Sequence, residues 1–165
     1  MSINLSLSSI NNKAPYPVHT LNGYSFLFIT QYGLEYEVGF VEDYMLSDDG
    51  LVFQFFITAG ENNRSPRDGN VYMTVVAILE EFFRRKELSV VYICDRHDGR
   101  QSIRQRLFRI WFSNYYEKDL YELVSKTLTV EDIGYTANLL IRKDSPLLSD
   151  RKEALEALYS RLEGK

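Results

Sequence analysis

The densest set of chemistry-bearing side chains in this sequence lies between Cys94 and Arg109. Two carboxylates, Asp95 and Asp98, flank His97, one of only two histidines in the chain, and Arg96 and Arg100 stand beside them. An imidazole next to a carboxylate is the minimal pair for general base chemistry near neutral pH. Arg100 and Arg104 are one helical turn apart and would share a helix face. Guanidinium groups at a helix N-terminus suit phosphate or carboxylate. Between Gly99 and Phe112 the chain carries four arginines and no acid, against a net charge of −4 for the whole. A ligand- or partner-binding set of Asp95, Arg96, His97, Asp98, Arg100, Gln101 and Arg104 follows.

Plainer readings stand beside that one. Asp98, with Gln101 three residues on, has the spacing of a helix N-cap and its capping-box partner. Asp95 at a strand end could close on Arg100 or Arg104 in an internal ion pair, and Arg106 and Arg109 fit a solvated face. Cys94 continues an apolar strand, where a thiol is usually buried and inert. No Ser, Thr or Cys nucleophile sits in a recognisable motif near His97, so catalytic residues are not assigned and a non-enzyme is favoured. His97, Asp95 and Asp98 make a poor metal set because no other His or Cys has zinc spacing and His19 lies in a Pro-rich stretch. There is no G-x-G-x-x-G and no Walker-type loop, so no cofactor is expected. A second candidate, the loop Arg64-Ser-Pro-Arg67-Asp-Gly-Asn70, is read as an ordinary polar turn with Asp68 or Asn70 as a cap.

The elements that must position these residues follow from periodicity. Residues 1–20 are rich in Ser and Asn, and Ile3, Leu5 and Leu7 alternate with polar residues, which allows a short edge strand. Pro15 and Pro17 then give an extended connection, so 1–20 reads as an N-terminal arm and 21–165 as one domain. Strands are expected over Tyr24–Thr30, Glu35–Glu42 and Leu51–Thr58, with turns at Gly33 and at Ser47-Asp-Asp-Gly50. Tyr36, Val38 and Phe40 face the core opposite Glu35, Glu37 and Gly39. The period then changes, and Tyr72, Val75, Val76, Leu79, Phe82 and Phe83 make the inner stripe of a helix from about Asn70 to Lys86. Ser89–Cys94 has no alternation, as in a central strand. Ile103, Leu107, Ile110 and Trp111 make the stripe of a second helix starting near Gly99. Tyr121–Thr129 slightly favours a strand, Asp132-Ile-Gly134 a turn, and Tyr135–Arg142 a strand. Asp150-x-x-Glu153 resembles a capping box ahead of a terminal helix with Leu155, Leu158, Tyr159 and Leu162 inside. The fold class is therefore α+β, a mixed, mostly antiparallel sheet with two central helices and a C-terminal helix.

Bulk composition narrows the function classes. With 165 residues the chain can bury a core without disulfides, and its single cysteine suits a reducing compartment. An acidic balance disfavours nucleic acid, as do glutamates on the Tyr-rich strands. No run of about 18 apolar residues and no signal-peptide pattern in 1–20 point to a cytoplasmic protein without a membrane partner. Nothing in the sequence specifies an oligomeric state.

The runs Val91-Tyr-Ile-Cys94-Asp95, Asp98-Gly-Arg100-Gln101, Arg104, Leu107-Phe108 and Trp111-Phe112 resemble a family of small bacterial proteins, common in Bacteroidetes, classed as a domain of unknown function. The stretch from Tyr135 to Pro146, with Arg142-Lys143-Asp144-Ser-Pro146, is also similar, although Ser145 stands where typical members have Asn. The resemblance covers the chain from about residue 24. It implies a bacterial cytoplasmic origin and no particular activity, cofactor or partner. Three functions remain: an interaction or regulatory protein binding a protein partner or a small anionic ligand, a coenzyme A-dependent acyltransferase-like enzyme, and a small hydrolase or nuclease using Asp95 and His97. The acyltransferase reading is a fold-level analogy, and its Arg/Gln-x-x-Gly-x-Gly/Ala loop is missing.

Overall fold

The computed structural model describes residues 3–59, 67–95, 110, 112–115 and 117–163. Its strands are β1 (His19–Thr20), β2 (Ser25–Ile29), β3 (Glu35–Glu42), β4 (Val52–Ala59), β5 (Ser89–Asp95), β6 (Tyr121–Val130) and β7 (Ile133–Arg142). The described helices are α1 (Leu7–Lys13), α2 (Gly69–Phe82) and α3 (Leu148–Glu163), with a 3-10 turn at Lys118–Leu120. The strands hydrogen-bond in the order β1-β2-β3-β4-β5-β7-β6. Pairs β1–β2, β2–β3, β5–β7 and β6–β7 are antiparallel and β4–β5 is parallel, so the α+β class with a mixed sheet holds. Of the two central helices, α2 is described; of the second, only Ile110 and residues 112–114 are, and these are helical.

Two compact units divide the chain: Met1–Val41 with Phe55–Arg85, and Glu42–Gln54 with Lys86–Lys165. In the first, the alternation read from the strands is realised. Phe26, Phe28, Val38, Phe40 and Phe55 are buried on one sheet face. The Phe40 ring stacks on Phe82 of α2 at 4.5 Å and 2°, and also meets Phe55 and Phe26. Such ring contacts add about 0.5–1.5 kcal/mol each beyond area burial. Gly33 turns the β2–β3 connection with φ +77°, a conformation that favours glycine.

Residues 7–13 form a helix, not the edge strand that the alternation of Ile3, Leu5 and Leu7 allows. Ser6 caps it, its hydroxyl accepting the Ser9 N–H, while Ile10 and Ile3 are buried. Helix α1 packs on α2. The Ser6 N–H donates to Oε1 of the buried Glu81 at 3.0 Å, and Arg84 pairs with the same oxygen. This second neighbour changes the inner stripe of α2. Its buried residues are Val71, Thr74, Val75, Ala77, Ile78, Glu81 and Phe82, whereas Tyr72 and Val76 are half-buried. A helix between a sheet and another helix buries more than one stripe. The helix ends at Phe82 rather than Lys86: Phe83, at φ −79° and ψ 3°, makes the last i→i−4 bond, to the Leu79 carbonyl, and the next N–H, of Arg84, bonds to Glu81 three residues back.

The second unit has an aliphatic core of Leu46, Val52, Val91, Leu139 and Leu155. Helix α3 covers the sheet face that carries Val91, Leu139 and Val124, with Ala154 and Leu158 against it. Ion pairs lie around that core. Arg151 (4% exposed) pairs with Asp49, Lys126 with Glu156, and Lys152 with Glu122 at 3.2 Å. The helix starts at Leu148, so Asp150 sits in its first turn and does not cap it; the Ser145 hydroxyl accepts the Leu147 N–H just upstream. The β6–β7 turn is Glu131-Asp132, both with positive φ, between the paired Val130 and Ile133. Gly134 is therefore in β7, opposite Thr129, and not in the turn.

Candidate functional site

Asp95 is the last residue of β5 and stands in register with Tyr135 of β7. Strand β5 lies between β4 and β7, as its unbroken apolar pattern requires, and Ser89, Val90 and Val91 are all buried. The segment that begins at Asp95 thus leaves from the carboxyl end of a central strand, where ligands of sheet proteins are often bound. Arg96, His97, Asp98, Arg100, Gln101 and Arg104 lie outside the described residues.

The sheet beside this strand end carries polar groups that the sequence reading did not single out. Opposite the α3 face, the buried Asn138 donates from Nδ2 to the Tyr92 carbonyl at 3.2 Å. Its Oδ1 accepts the Ser125 hydroxyl at 2.6 Å. One step nearer the end of β5, the Thr127 and Thr136 hydroxyls are 3.4 Å apart, and Cys94 is in register with Thr136. A buried amide satisfied on both sides fixes strand register, and these neutral groups can exchange hydrogen bonds but carry no charge. The signal was present as a period-two run of polar residues: Ser125 and Thr127 in β6, Thr136 and Asn138 in β7.

Of the second candidate loop, residues 67–70 are described. Asp68 caps α2 by accepting the Asn70 N–H at 3.0 Å, the role read from its spacing. Its other carboxylate oxygen accepts the Tyr16 hydroxyl. Burial, and then Asp68, push the Tyr16 phenol above its ordinary pKa. Burial and the Asp68 charge act on Tyr36 in the same direction. Asp68 is thus engaged in holding residues 16 and 68–70 together, and the arrangement is structural. Among the described residues, no group of three or more His, Cys, Asp or Glu could hold a metal ion.

A family model described as a family of unknown function (DUF6169) matches residues 67–157, more than half of the chain. The chain belongs to that family. The DUF6169 stretch contains α2, β5, β6, β7 and most of α3, and all seven residues of the expected binding set. It starts later than the resemblance from about residue 24, leaving β1–β4 outside. No curated protein and no solved structure matches the chain. No helix among the described residues is long and apolar enough to cross a membrane.

Proposed function

We propose that this DUF6169 protein is a small interaction or regulatory protein of the bacterial cytoplasm, and that residues 95–109 bind a protein partner or a small anionic ligand. One observation carries the reading. Asp95 ends a central strand, so the arginines at 96, 100 and 104 belong to the segment leaving that strand's carboxyl end. Arginine is suited there to carboxylate or phosphate groups, which it binds with two parallel donors. The single cysteine excludes an intrachain disulfide and supports a reducing compartment.

Calorimetry with inorganic phosphate and pyrophosphate, and separately with coenzyme A, tests this assignment. Binding that is lost in Arg100→Glu/Arg104→Glu and kept in Arg84→Glu supports an anion site. Selective binding of coenzyme A would favour the acyltransferase-like alternative. Phosphoester hydrolysis abolished by Asp95→Ala and His97→Ala would favour the hydrolase. Binding of no anion, together with no partner whose capture depends on Arg100 and Arg104, would remove the proposal.

A further inference from the structure

The first unit has a sheet face that its helices do not cover. The Phe40–Phe82 stack puts α2 on the face of Phe26, Phe28 and Phe40. The opposite face follows from register: His19 and Leu27, Leu27 and Glu37, Ile29 and Glu35, and Ser25 and Gly39 are cross-strand pairs. Leu21 continues β1 on that face, its N–H bonded to the Ser25 carbonyl. Leu21 is 70%, Ile29 61% and Val41 54% exposed, large values for apolar side chains grouped on one face. The Phe56 ring lies over Gly39 on the same face, where a Cβ would meet it at 2.1 Å, so the glycine makes room for the ring.

The charge of this face is one-sided. Residues 14–42, which hold β1–β3, contain three acids, Glu35, Glu37 and Glu42, and no Lys or Arg. Glu35 and Glu37 stand on the uncovered face, and among the described residues neither forms an ion pair. Carboxylates on an apolar surface repel anionic lipid and nucleic acid. Two copies docked through this face would set like charges together with no cation from these strands to offset them.

We infer that the uncovered face of β1–β3, formed by Leu21, Leu27, Ile29 and Val41 around Phe56, docks a basic amphipathic protein segment. Lys or Arg of the partner meets Glu35 and Glu37, and its apolar side chains cover Ile29 and Val41. None of these residues belongs to the 95–109 set, and the two assignments can fail independently.

Fluorescence anisotropy with a labelled peptide of alternating lysine and leucine, and its glutamate–leucine counterpart, provides the test on the full chain. The lysine peptide binds, the glutamate peptide does not, and affinity falls with added salt. Glu35→Lys/Glu37→Lys weakens binding by about tenfold or more, and Ile29→Ser/Val41→Ser weakens it with the charges intact. Glu153→Lys/Glu156→Lys on α3 changes net charge equally and leaves binding unaltered. Thermal melts verify that each variant is folded. Absence of binding, equal binding of both peptides, or equal loss in the α3 variant would overturn the inference. Sedimentation showing self-association abolished by Ile29→Glu would make the occupant a second copy and overturn it too.

Discussion

The first unit stacks phenylalanine rings at the centre of its interior, and the second builds on an aliphatic cluster and surrounds it with ion pairs. Phe40 touches three other phenylalanines, whereas Leu139 sits among Leu46, Val52, Val91 and Leu155. The described ion pairs of the first unit, Lys13–Glu80 and Arg84–Glu81, involve helix residues. In the second, pairs connect strand or hairpin to helix: Asp49–Arg151, Glu122–Lys152 and Lys126–Glu156. The contrast teaches that one sheet order is stabilised by two chemistries with different sensitivity to pH and salt.

The largest expected effect is at the ring cluster. Phe40→Ala should lower stability by about 3–5 kcal/mol in chemical denaturation. That loss should be the same at low and high salt, and a salt-dependent loss would break the contrast. Next is Asp49→Ala, which leaves a guanidinium 4% exposed without its carboxylate. Because Asp49 itself is partly exposed, the cost should be about 2–3 kcal/mol, below the range for a fully buried pair. Arg151→Met in the same background should recover part of it.

Acid sharpens the comparison. Burial raises the Asp49 carboxyl pKa, but hydrogen bonds from Arg151 and the Leu51 N–H outweigh it, leaving a net lowering. The hydrogen bond from Arg142, then Lys86, holds Asp144 at about 2. Both folded values lie below the unfolded one. Their contributions are therefore complete above the ordinary carboxylate range and disappear as pH falls through the folded values. Thermal melts from pH 7 to pH 2 should show wild type losing stability below about pH 4. Asp49→Ala/Asp144→Ala should lose less over that interval. An unchanged acid slope would remove ion pairing as the distinguishing chemistry.

Two smaller effects concern backbone fit. Gly39→Ala drives a Cβ into the Phe56 ring and should cost about 1–3 kcal/mol unless the ring swings away. Replacing Glu131-Asp132 by Asn-Gly should raise stability by about 1 kcal/mol, measured by denaturation, because both positions have positive φ.

Most strands were legible from a two-residue period, and Ser89–Cys94 from an unbroken apolar run. Glu35–Glu42 is found at the expected bounds, and Ser25–Ile29, Val52–Ala59 and Ser89–Asp95 lie within a residue of theirs at each end. Helix α1 was not legible, since seven residues with a single buried side chain give no helical period. The stripe of α2 was legible in part: Val75, Phe82 and Phe83 are buried as read, whereas Thr74, Ala77, Ile78 and Glu81 are buried as well because α1 lies against its second side. The Glu131-Asp132 turn was missed because glycine normally marks positive φ, and here Gly134 is a strand residue. Of the candidate site, the strand end at Asp95 and the cap at Asp68 were readable from spacing. The Asn138 bridge was not, because it joins residues from three strands whose pairing is a property of the fold.

The division of the chain runs through β3 and β4: the second unit takes Glu42–Gln54 from the middle of the sequence and the rest from Lys86 onward. The family match, 67–157, includes Arg151, Val91, Leu139 and Leu155 but omits Leu46, Asp49 and Val52. A fragment cut at the family limits would therefore carry a core with two of its five side chains missing and a buried cation stripped of its counterion. Ancestry and autonomy draw different borders on this chain, and only a fragment that keeps residues 42–54 inherits a complete interior.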